Sequence, residues 1–557
     1  MINVRPFPWE AHYPQGVVWD APIRLSTLPA MLDEAVQRFG NRPAIEFRGA
    51  QITFADLASR ADRFAAGLQK LGIKQGDAVA LLLHNTPFHP VAFFAVLRLG
   101  ARVVHLSPLD PARAIASKLK DSGATTLIST NIPGLMHNAL AVLAEGAAKC
   151  VILGDDAEFG APSPALPIPA EALNLTAIST DLPASWPTIL PDDVALLQYT
   201  GGTTGVPKAA MLSHANLSAA VSIIDNYGAG HVSIGAEDRM IGVLPMFHIY
   251  ALTGVLLRAI AAGAEILLRP RFDVETTIAD LETGRATVFC GVPTMWIALV
   301  NAPGIESRDL TSLRLTLSGG APLPAEISEK FERLTGQKLG GGWGMTETSP
   351  VGALIPEGIT YTPGMIGIPA PGIMMDVVSL DDPHKILGPN ETGEIRIKGP
   401  NVTRGYWNRV EESAAAFADG YLLTGDIGHY DERGFFFLVD RKKDMIISGG
   451  FNVYPAMIEN AIYEHPDVVE AGVIGIADQY RGQAAKAFVV LREGAAPLSL
   501  EGLRSFLAER IGRHELPSAM EIRDSLPKTG VGKLSRKDLV DDELARLGRD
   551  EKARAGQ

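Results

Sequence analysis

Short apolar segments that alternate with helical segments are the feature that most constrains the fold of this chain. Seven apolar runs predict buried strands, at residues 78–82, 103–106, 126–129, 241–244, 265–268, 287–290 and 313–317. Between the first three runs, residues 86–99 and 111–122 have the apolar spacing of helices. Strands that alternate with helices in this way predict an α/β fold, in which mostly parallel sheets are covered by helices.

The length of the chain predicts more than one domain, because 557 residues exceed what a single hydrophobic core supports. A charge cluster at residues 440–444 separates two apolar runs, and the later pattern predicts a small α+β unit with strands at 468–476, 487–491 and 520–523 and a helix at 500–511. We therefore expect an amino-terminal domain at residues 1–440, including a small β subdomain, and a small mobile carboxyl-terminal domain at residues 441–557. The Pro-, Ala- and Asp-rich segment 155–191 is expected to be a connector.

Composition excludes several classes of protein. With 46% hydrophobic residues, 20% charged residues and a mean hydropathy of +0.12, the chain is typical of globular proteins. It lacks an apolar run near the ~18 residues of a membrane span, and its first ten residues lack the apolar region of a secretory signal. Two cysteines, Cys150 and Cys290, favour a reducing cytoplasm. The net charge of −13 argues against nonspecific nucleic-acid binding, whereas a local basic patch, peripheral membrane contact and a homodimer stay open.

A dense run of small, hydroxyl and cationic residues at 199–208 (YTGGTTGVPK) predicts a phosphate-binding loop. The glycines free backbone N–H groups to approach an anion, the threonines add hydroxyl donors, and the lysine adds a fixed charge. The candidate phosphate-binding residues are Thr200, Gly201, Gly202, Thr203, Thr204, Gly205 and Lys208. The run differs from the P-loop of common NTPases, since Ala209 follows Lys208 where Ser or Thr is required. An ordinary glycine-rich turn is the alternative.

Two of the predicted strands, 287–290 and 313–317, lead directly into glycine turns. The first turn is Gly291-Val292-Pro293, and the second is Gly319-Gly320-Ala321-Pro322. Ligands of open parallel sheets bind beyond the carboxyl ends of the strands, so both turns are predicted to border a ligand site.

Six motifs in this order resemble the adenylate-forming superfamily of acyl-CoA synthetases, luciferases and nonribosomal adenylation domains. They are the 199–208 loop, 245–248 (PMFH), 342–348 (GWGMTET), 421–426 (YLLTGD), 440–455 and 527–533 (PKTGVGK). The resemblance covers residues 25 to 540. It implies a two-step reaction: a carboxylate attacks the α-phosphate of ATP to give acyl-AMP and pyrophosphate, and the thiol of coenzyme A then displaces AMP.

The resemblance implies roles for residues of the first step. The 200–208 loop is expected to hold the β- and γ-phosphates, and Glu347 is expected to bind Mg²⁺, with Thr346 beside the α-phosphate. One glutamate suffices because Mg²⁺ is usually held by one or two carboxylates together with phosphates and water. Lys533 is implied as the catalytic lysine that reaches the α-phosphate from the carboxyl-terminal domain.

The resemblance also implies a nucleoside site. Asp426 is expected to accept hydrogen bonds from the ribose hydroxyls, with Arg441 as its partner, since an ionised carboxylate is an acceptor only. The adenine slot is implied to lie between the Trp343 ring, flanked by Gly342 and Gly344, and the backbone turn formed by Gly319, Gly320, Ala321 and Pro322.

For the thiol step, the resemblance implies a hinge at Lys443 about which the small domain turns. The turn brings in Gly449 and Gly450 to line the pantetheine tunnel, where a Cβ on Gly450 would narrow the channel; a β-bulge is the alternative reading of this glycine. His248, a candidate catalytic residue, lies in a segment that resembles the gate of the acyl pocket, and its mechanistic role stays open.

The sequence most resembles bacterial long-chain fatty acid-CoA ligases, with Gly202 in place of the usual serine of the loop and Ala209 in place of the usual glycine. The candidate residues of the acyl pocket are largely apolar: Val243, Phe247, Tyr250, Thr253, Gly254, Val292, Pro293, Gly319 and Trp343. We therefore expect a medium- or long-chain fatty acid as substrate. Alternatives are an aryl or dicarboxylic acid-CoA ligase, an enzyme that loads a carrier protein, and a catalytically silent nucleotide- or acyl-binding protein. Arg258, near the pocket in sequence, is the cation that would suit a second carboxylate.

Overall fold

The computed structural model describes residues 5–160, 165–183, 185–200, 208–228, 233–320, 323–359, 362, 364–448, 451–478, 481–529 and 534–555, with backbone alone for 547–555. The chain forms two compact units that interleave in sequence. The first unit comprises Met1–Thr360, Ile366–Met375 and Ile397–Leu422, and the second comprises Tyr361–Met365, Asp376–Arg396 and Leu423–Gln557. The domain boundary at residue 440 stays a prediction.

One sheet of the first unit confirms the predicted parallel arrangement. In spatial order its strands are Leu173–Asn174, Cys150–Gly154, Thr126–Thr130, Ala78–Leu81, Arg102–His105, Val194–Thr200 and Lys208–Ser213. All neighbouring pairs are parallel except the last, in which Thr200 faces Lys208 across an antiparallel ladder. The expected connector 155–191 is partly wrong, because Leu173–Asn174 adds an edge strand and Leu175–Ile178 forms a short helix.

A second sheet of the first unit carries the other predicted strands. In spatial order these strands are Ala50–Thr53, Pro43–Phe47, Glu265–Leu268, Arg239–Gly242, Val288–Gly291, Leu315–Ser318, Gly340–Trp343, Ala353–Leu354 and Met365–Pro369. The pairs from Pro43–Phe47 to Gly340–Trp343 are parallel, and the pairs beyond either end are antiparallel. The carboxyl ends of Val288–Gly291 and Leu315–Ser318 therefore lie side by side.

Helices fill the space between these sheets and cover their outer faces. Phe88–Arg98 is buried at every residue, which fits a helix that is apolar all round and packed on both sides. The other helices of the unit are Leu28–Phe39, Phe54–Lys70, Ala112–Ser122, Pro133–Ala144, Leu175–Ile178, His214–Gly228, Ile249–Ala251, Arg258–Ala262, Val274–Glu282, Pro293–Val300, Ala325–Thr335 and Val410–Ala415, with a π-helical turn at Leu252–Leu257. Throughout the described ranges, no helix combines the length and apolarity that a membrane crossing requires.

The second unit is built mainly from antiparallel strands and confirms the predicted α+β pattern. One group of neighbouring strands, Met374–Val378, Gly393–Lys398, Tyr421–Tyr430 and Phe436–Arg441, lies mainly in this unit. The assignment of a small β subdomain to the amino-terminal domain 1–440 stays a prediction. A second sheet has the order Phe451–Val453, Ile446–Ser448, Gly482–Leu491, Val468–Asp478, with Ala519–Ile522 paired to Gly482–Leu491. Its helices are Pro455–Tyr463, Leu500–Leu507 and Arg536–Ala555. The predicted helix 500–511 thus ends four residues early, at Leu507.

Arg536 ties the 440–444 charge cluster to the core of the second unit. Its guanidinium forms a bidentate pair with Glu459, at 2.5 and 3.0 Å, and also contacts Asp440 at 3.2 Å and Asp444 at 3.0 Å. The carboxyl groups of Asp440 and Glu459 are almost fully buried, and this burial raises the pKa of each against the opposing effect of Arg536. Asp440 and Asp444 of the predicted domain-boundary cluster therefore belong to an ion network around Arg536, whereas Lys442 and Lys443 are exposed in the turn.

Replacing Arg536 with methionine is expected to destabilise the second unit by about 3–5 kcal/mol, because two buried carboxylates lose the cation that compensates them. Hydrogen exchange measured by mass spectrometry should show faster exchange of the strand 468–478 and the helix 455–463. The control, Arg504→Met, removes an exposed arginine of the same unit and should change stability by less than about 0.5 kcal/mol. Equal exchange in the two variants would contradict a stabilising network.

Candidate active site

The two predicted glycine turns meet at the carboxyl edge of the second sheet. The Gly319 N–H donates to the Gly291 carbonyl oxygen at 3.1 Å, which fixes the two strand ends together. The ring of Tyr250 packs against Gly319, and a Cβ added there would lie 3.0 Å from its Cζ. Glycine at this position therefore lets an aromatic ring approach the backbone closely. Ala321 and Pro322 lie outside the described residues.

The acyl-pocket candidates Tyr250, Thr253 and Gly254 lie on consecutive turns of one distorted helix. Ile249–Ala251 continues into the π-helical turn Leu252–Leu257, a distortion that often marks a functional site. A Cβ added to Gly254 would lie 3.4 Å from the Tyr250 ring, and burial raises the pKa of the Tyr250 phenol. Val243 and Val292, from neighbouring strand ends, are buried and apolar as expected.

Arg258 begins the helix that follows this turn, and its side chain is only 3% exposed. Its Nε lies 3.4 Å from Oδ1 of Asp225, on the helix His214–Gly228. The guanidinium is close enough to Tyr250 to lower the pKa of that phenol against the larger effect of burial. The cation suggested for a second carboxylate is therefore near the predicted pocket and already has an acidic partner.

Tyr406 links the lysine of the phosphate loop to the expected metal ligand. Its hydroxyl donates to Oε1 of Glu347 at 3.0 Å, and the Lys208 ammonium lies 5.6 Å from the centre of its ring. Lys208 also pairs with Glu412 at 2.7 Å. Glu347 is 6% exposed, and burial together with this carboxylate raises the pKa of Tyr406, which therefore stays a hydrogen-bond donor.

Sequence reasoning missed Tyr406 and Glu412. Tyr406 lies 59 residues from Glu347, in the polar segment 400–409. Its one sequence signal is a pair of aromatic residues after Gly405 in that segment. The contact itself depends on Met211 and Gly405, whose backbone hydrogen bond brings the segment beside the strand Lys208–Ser213.

The turn that carries Thr346 and Glu347 is held by a close backbone contact. A Cβ added to Gly344 would lie 1.5 Å from the Pro350 carbonyl oxygen, so only glycine fits there. Thr346 begins the short 3₁₀ helix Thr346–Thr348. Trp343 ends the strand Gly340–Trp343 and is 9% exposed, with its ring against the backbone of Gly352. Gly342 belongs to the same strand.

Gln198, which sequence reasoning also missed, positions the segment that contains His248. Its side-chain amide donates to the Phe247 carbonyl oxygen at 3.0 Å, and its Oε1 lies 3.1 Å from Nδ1 of His105. Burial lowers the pKa of His105 to about 4, so this histidine is neutral at pH 7. His248 itself caps the helix Ile249–Ala251, because its Nδ1 accepts from the Tyr250 N–H at 3.3 Å. Gln198 lies two residues before Thr200, where the phosphate loop begins.

In the second unit, Asp426 and Arg441 are paired as expected. They face each other across neighbouring antiparallel strands, with Nε 2.5 Å from Oδ1. Asp426 is fully buried and Arg441 is 43% exposed on its side chain. Lys443 is exposed in the turn between the strands Phe436–Arg441 and Ile446–Ser448.

Several predicted site residues lie outside the described residues. They are Gly201, Gly202, Thr203, Thr204, Gly205, Ala321, Pro322, Gly449, Gly450 and Lys533. Their roles stay predictions. Gly320 is described and has a φ of +85°, which suits the tight turn expected there.

The described residues fit a magnesium ion that arrives with a nucleotide. Within the described ranges there is no group of three or more His, Cys, Asp or Glu side chains arranged to hold a metal ion. Glu347 presents a buried carboxylate that accepts a hydrogen bond from Tyr406, and the ring of Tyr406 faces the Lys208 ammonium. A single carboxylate matches Mg²⁺, which takes its other ligands from phosphates and water.

This fold and this arrangement of motifs define an AMP-binding enzyme, and the chain belongs to that family. The family described as "AMP-binding enzyme" matches residues 32–407, and "AMP-binding enzyme C-terminal domain" matches residues 457–533.

The similarity to known relatives covers nearly the whole chain. A long-chain-fatty-acid–CoA ligase of Bacillus subtilis is 38% identical, covering 96% of this chain and 98% of the relative. A feruloyl-CoA synthase of Amycolatopsis is 36% identical over 88% of this chain and 94% of the relative. The crystal structure of ATP-bound MatB from Rhodopseudomonas palustris matches with a TM-score of 0.82 at 29% identity, covering 92% of this chain and 98% of that one.

Proposed function

We propose that this protein is an ATP-dependent, AMP-forming ligase that joins a medium- or long-chain fatty acid to coenzyme A. The observation that carries the proposal is the cluster of Lys208, Tyr406 and Glu347. It combines a cation at the end of the phosphate loop with a buried carboxylate suited to a metal-bound nucleotide. The close relation to a fatty-acid–CoA ligase supports the acyl substrate.

In the first step, the protein aligns the fatty-acid carboxylate with the α-phosphate of ATP. Lys208 and the 200–205 segment hold the β- and γ-phosphates, and Glu347 would hold Mg²⁺, which would supply positive charge against the phosphates. Tyr406 keeps the Glu347 carboxylate oriented through its hydroxyl. Lys533 stabilises the charge that grows on the α-phosphate, while Thr346 lies beside it. Such preorganised charges act mainly by stabilising the transition state.

The nucleoside and thiol sites complete the proposal. Asp426, oriented by Arg441, accepts the ribose hydroxyls, and Trp343 and the Gly319–Gly320 turn border the adenine. A hinge at Lys443 then brings Gly449 and Gly450 beside the pantetheine arm, so that the thiol attacks the acyl carbonyl and AMP leaves. The exposed position of Lys443 in a turn supports a hinge.

The apolar residues around Tyr250 support an unbranched fatty acid. Arg258, which follows the distorted helix, already faces Asp225, so a second carboxylate would meet an acidic neighbour as well. A charge buried without a free partner is costly, which disfavours dicarboxylic acids. An aryl acid is the second candidate, because a feruloyl-CoA synthase is also a relative.

A panel of carboxylic acids should show kcat/KM rising from short to medium or long unbranched chains, by up to about fourfold for each methylene removed from water. The rise should stop where the chain reaches the end of the pocket or solvent. AMP release with coenzyme A measures the reaction, and matched dicarboxylic acids serve as the control. If benzoate, ferulate or a dicarboxylate exceeds every saturated acid from about eight carbons upward, the fatty-acid assignment is wrong.

A further inference from the structure

A polar cleft of about 530 Å³ lies in the first unit and has no part in the proposed reaction. Four of its lining residues, Ala78, Arg102, Thr126 and Cys150, are the first residues of parallel strands. Thr200, where the phosphate loop begins, instead ends a strand parallel to Arg102–His105. The cleft and Thr200, the last described residue before the 201–207 segment, therefore lie at opposite edges of the same sheet.

The cleft concentrates positive charge in a chain whose net charge is −13. Arg102, Lys120 and Lys149 line it, and none of the three forms an ion pair with a described residue. Burial lowers the pKa of Arg102, opposed by the Asp77 carboxylate. The second acidic residue of the lining, Asp121, is already neutralised by Arg409 at 2.8 Å. Three cations thus line the cleft, and the carboxylates of its lining balance little of their positive charge.

The unsatisfied groups of the cleft are hydrogen-bond donors. Nε of Arg102 and Nε1 of Trp407 are both buried and have no hydrogen-bond partner among the described residues. The Arg102 guanidinium lies 4.4 Å from the centre of the Trp407 ring, which holds it in place. Arginine, lysine and the indole N–H donate but cannot accept hydrogen bonds, so the ligand they suit is rich in acceptors.

We infer that this cleft is a second anion site, which binds the phosphate group of a small molecule through Arg102, Lys120 and Lys149. A phosphate group supplies several charged acceptor oxygens, the chemistry that such a cluster recognises most strongly. Two sources carry this chemistry: free inorganic phosphate and a phosphorylated nucleoside.

The cleft is connected to the ends of the phosphate loop. The Tyr199 hydroxyl donates to Asp121 at 2.8 Å, and the side-chain amide of Asn408 donates to the Asp121 carbonyl oxygen at 3.2 Å. The backbone N–H of Trp407 donates to the Ala209 carbonyl oxygen at 2.9 Å. Tyr199 and Ala209, on either side of the 201–207 segment, are thus hydrogen-bonded to residues that line the cleft.

Calorimetric titration of the full chain with inorganic phosphate tests the site. A saturating, non-hydrolysable ATP analogue fills the nucleotide site, and ionic strength is held constant. Lys120→Gln/Lys149→Gln should weaken phosphate binding at least about tenfold, equivalent to about 1.4 kcal/mol. The control, Lys338→Gln/Lys385→Gln, removes two exposed lysines elsewhere and should stay within about twofold of the unsubstituted protein.

Adenosine 3′,5′-bisphosphate distinguishes the sources. If it displaces phosphate from the unsubstituted protein and binds less tightly to Lys120→Gln/Lys149→Gln, the ligand is a phosphorylated nucleoside. If it leaves phosphate binding unchanged, the ligand is free phosphate. The inference is wrong if the unsubstituted protein shows no saturable phosphate binding with the nucleotide site filled, or if both double variants bind phosphate equally.

Discussion

Replacing Glu347 with glutamine is expected to slow acyl-AMP formation by about 10²–10³-fold, the scale of losing a preorganised charged group. The amide keeps the shape of the side chain and can still accept from the Tyr406 hydroxyl, so the fold of the turn should survive. It removes the one buried carboxylate in this cluster that suits Mg²⁺. Pyrophosphate exchange measured across a range of Mg²⁺ concentrations should show both a lower rate and a higher Mg²⁺ requirement.

Tyr406→Phe is the matched control for this change. It retains the Glu347 charge and the aromatic ring under Lys208, and removes a single hydroxyl. We expect a smaller loss, of about tenfold, because the carboxylate keeps its charge; this lies at the lower end of the roughly 1.5–3 kcal/mol that one hydrogen bond to a charged group is worth. A Glu347→Gln enzyme that exchanges pyrophosphate as fast as Tyr406→Phe would contradict the assignment of Glu347 as metal ligand.

Replacing Lys533 with alanine should slow acyl-AMP formation by about 10² or more, while thioester formation from supplied acyl-AMP largely survives. The two half-reactions separate because the lysine is proposed to act only before the small domain turns about Lys443. Single-turnover measurements of each half-reaction on one preparation test this directly. Equal loss in both half-reactions would exclude a two-conformation mechanism.

Gly450→Leu is the reciprocal variant to Lys533→Ala. A leucine side chain in the proposed pantetheine tunnel should block thioester formation and leave pyrophosphate exchange near normal. Opposite losses in the two variants would assign each residue to its own step. Unchanged rates in Gly450→Leu would mean that this glycine does not line the tunnel.

The strands of the parallel sheets were largely predictable because a buried strand is recognisable as a short run of apolar residues in the sequence. The run at 265–268 became the strand Glu265–Leu268 with the same bounds, and 78–82 and 126–129 differ from their strands by one residue. The edge strand Leu173–Asn174 was not predictable, because two residues in a Pro-rich segment are too few to show the apolar pattern of a strand. Only its neighbour Cys150–Gly154 makes it a strand.

The candidate site also contains residues that the sequence predicted and contacts that only the structure revealed. The dense run at 199–208 itself indicated Lys208, whereas Glu347, Asp426 and Arg441 were selected through the resemblance of their motifs to the adenylate-forming superfamily. The Asp426–Arg441 pair was also expected from the motifs, and the antiparallel register joins the two side chains. The hydrogen bond from Tyr406 to Glu347 had no counterpart in the sequence pattern.

The sequence by itself therefore determined the class of fold, the order of the motifs and the residue types that can hold phosphate and a metal ion. The class of fold and the phosphate loop depend on local period and composition, whereas the metal ligand was expected from the resemblance of its motif to a known superfamily. Tertiary structure alone decided that Tyr406 supports Glu347, that Gln198 holds the Phe247 carbonyl, and that Arg258 faces Asp225. These contacts join segments far apart in the chain, and sheet register and helix packing, rather than sequence spacing, set the distances between such segments.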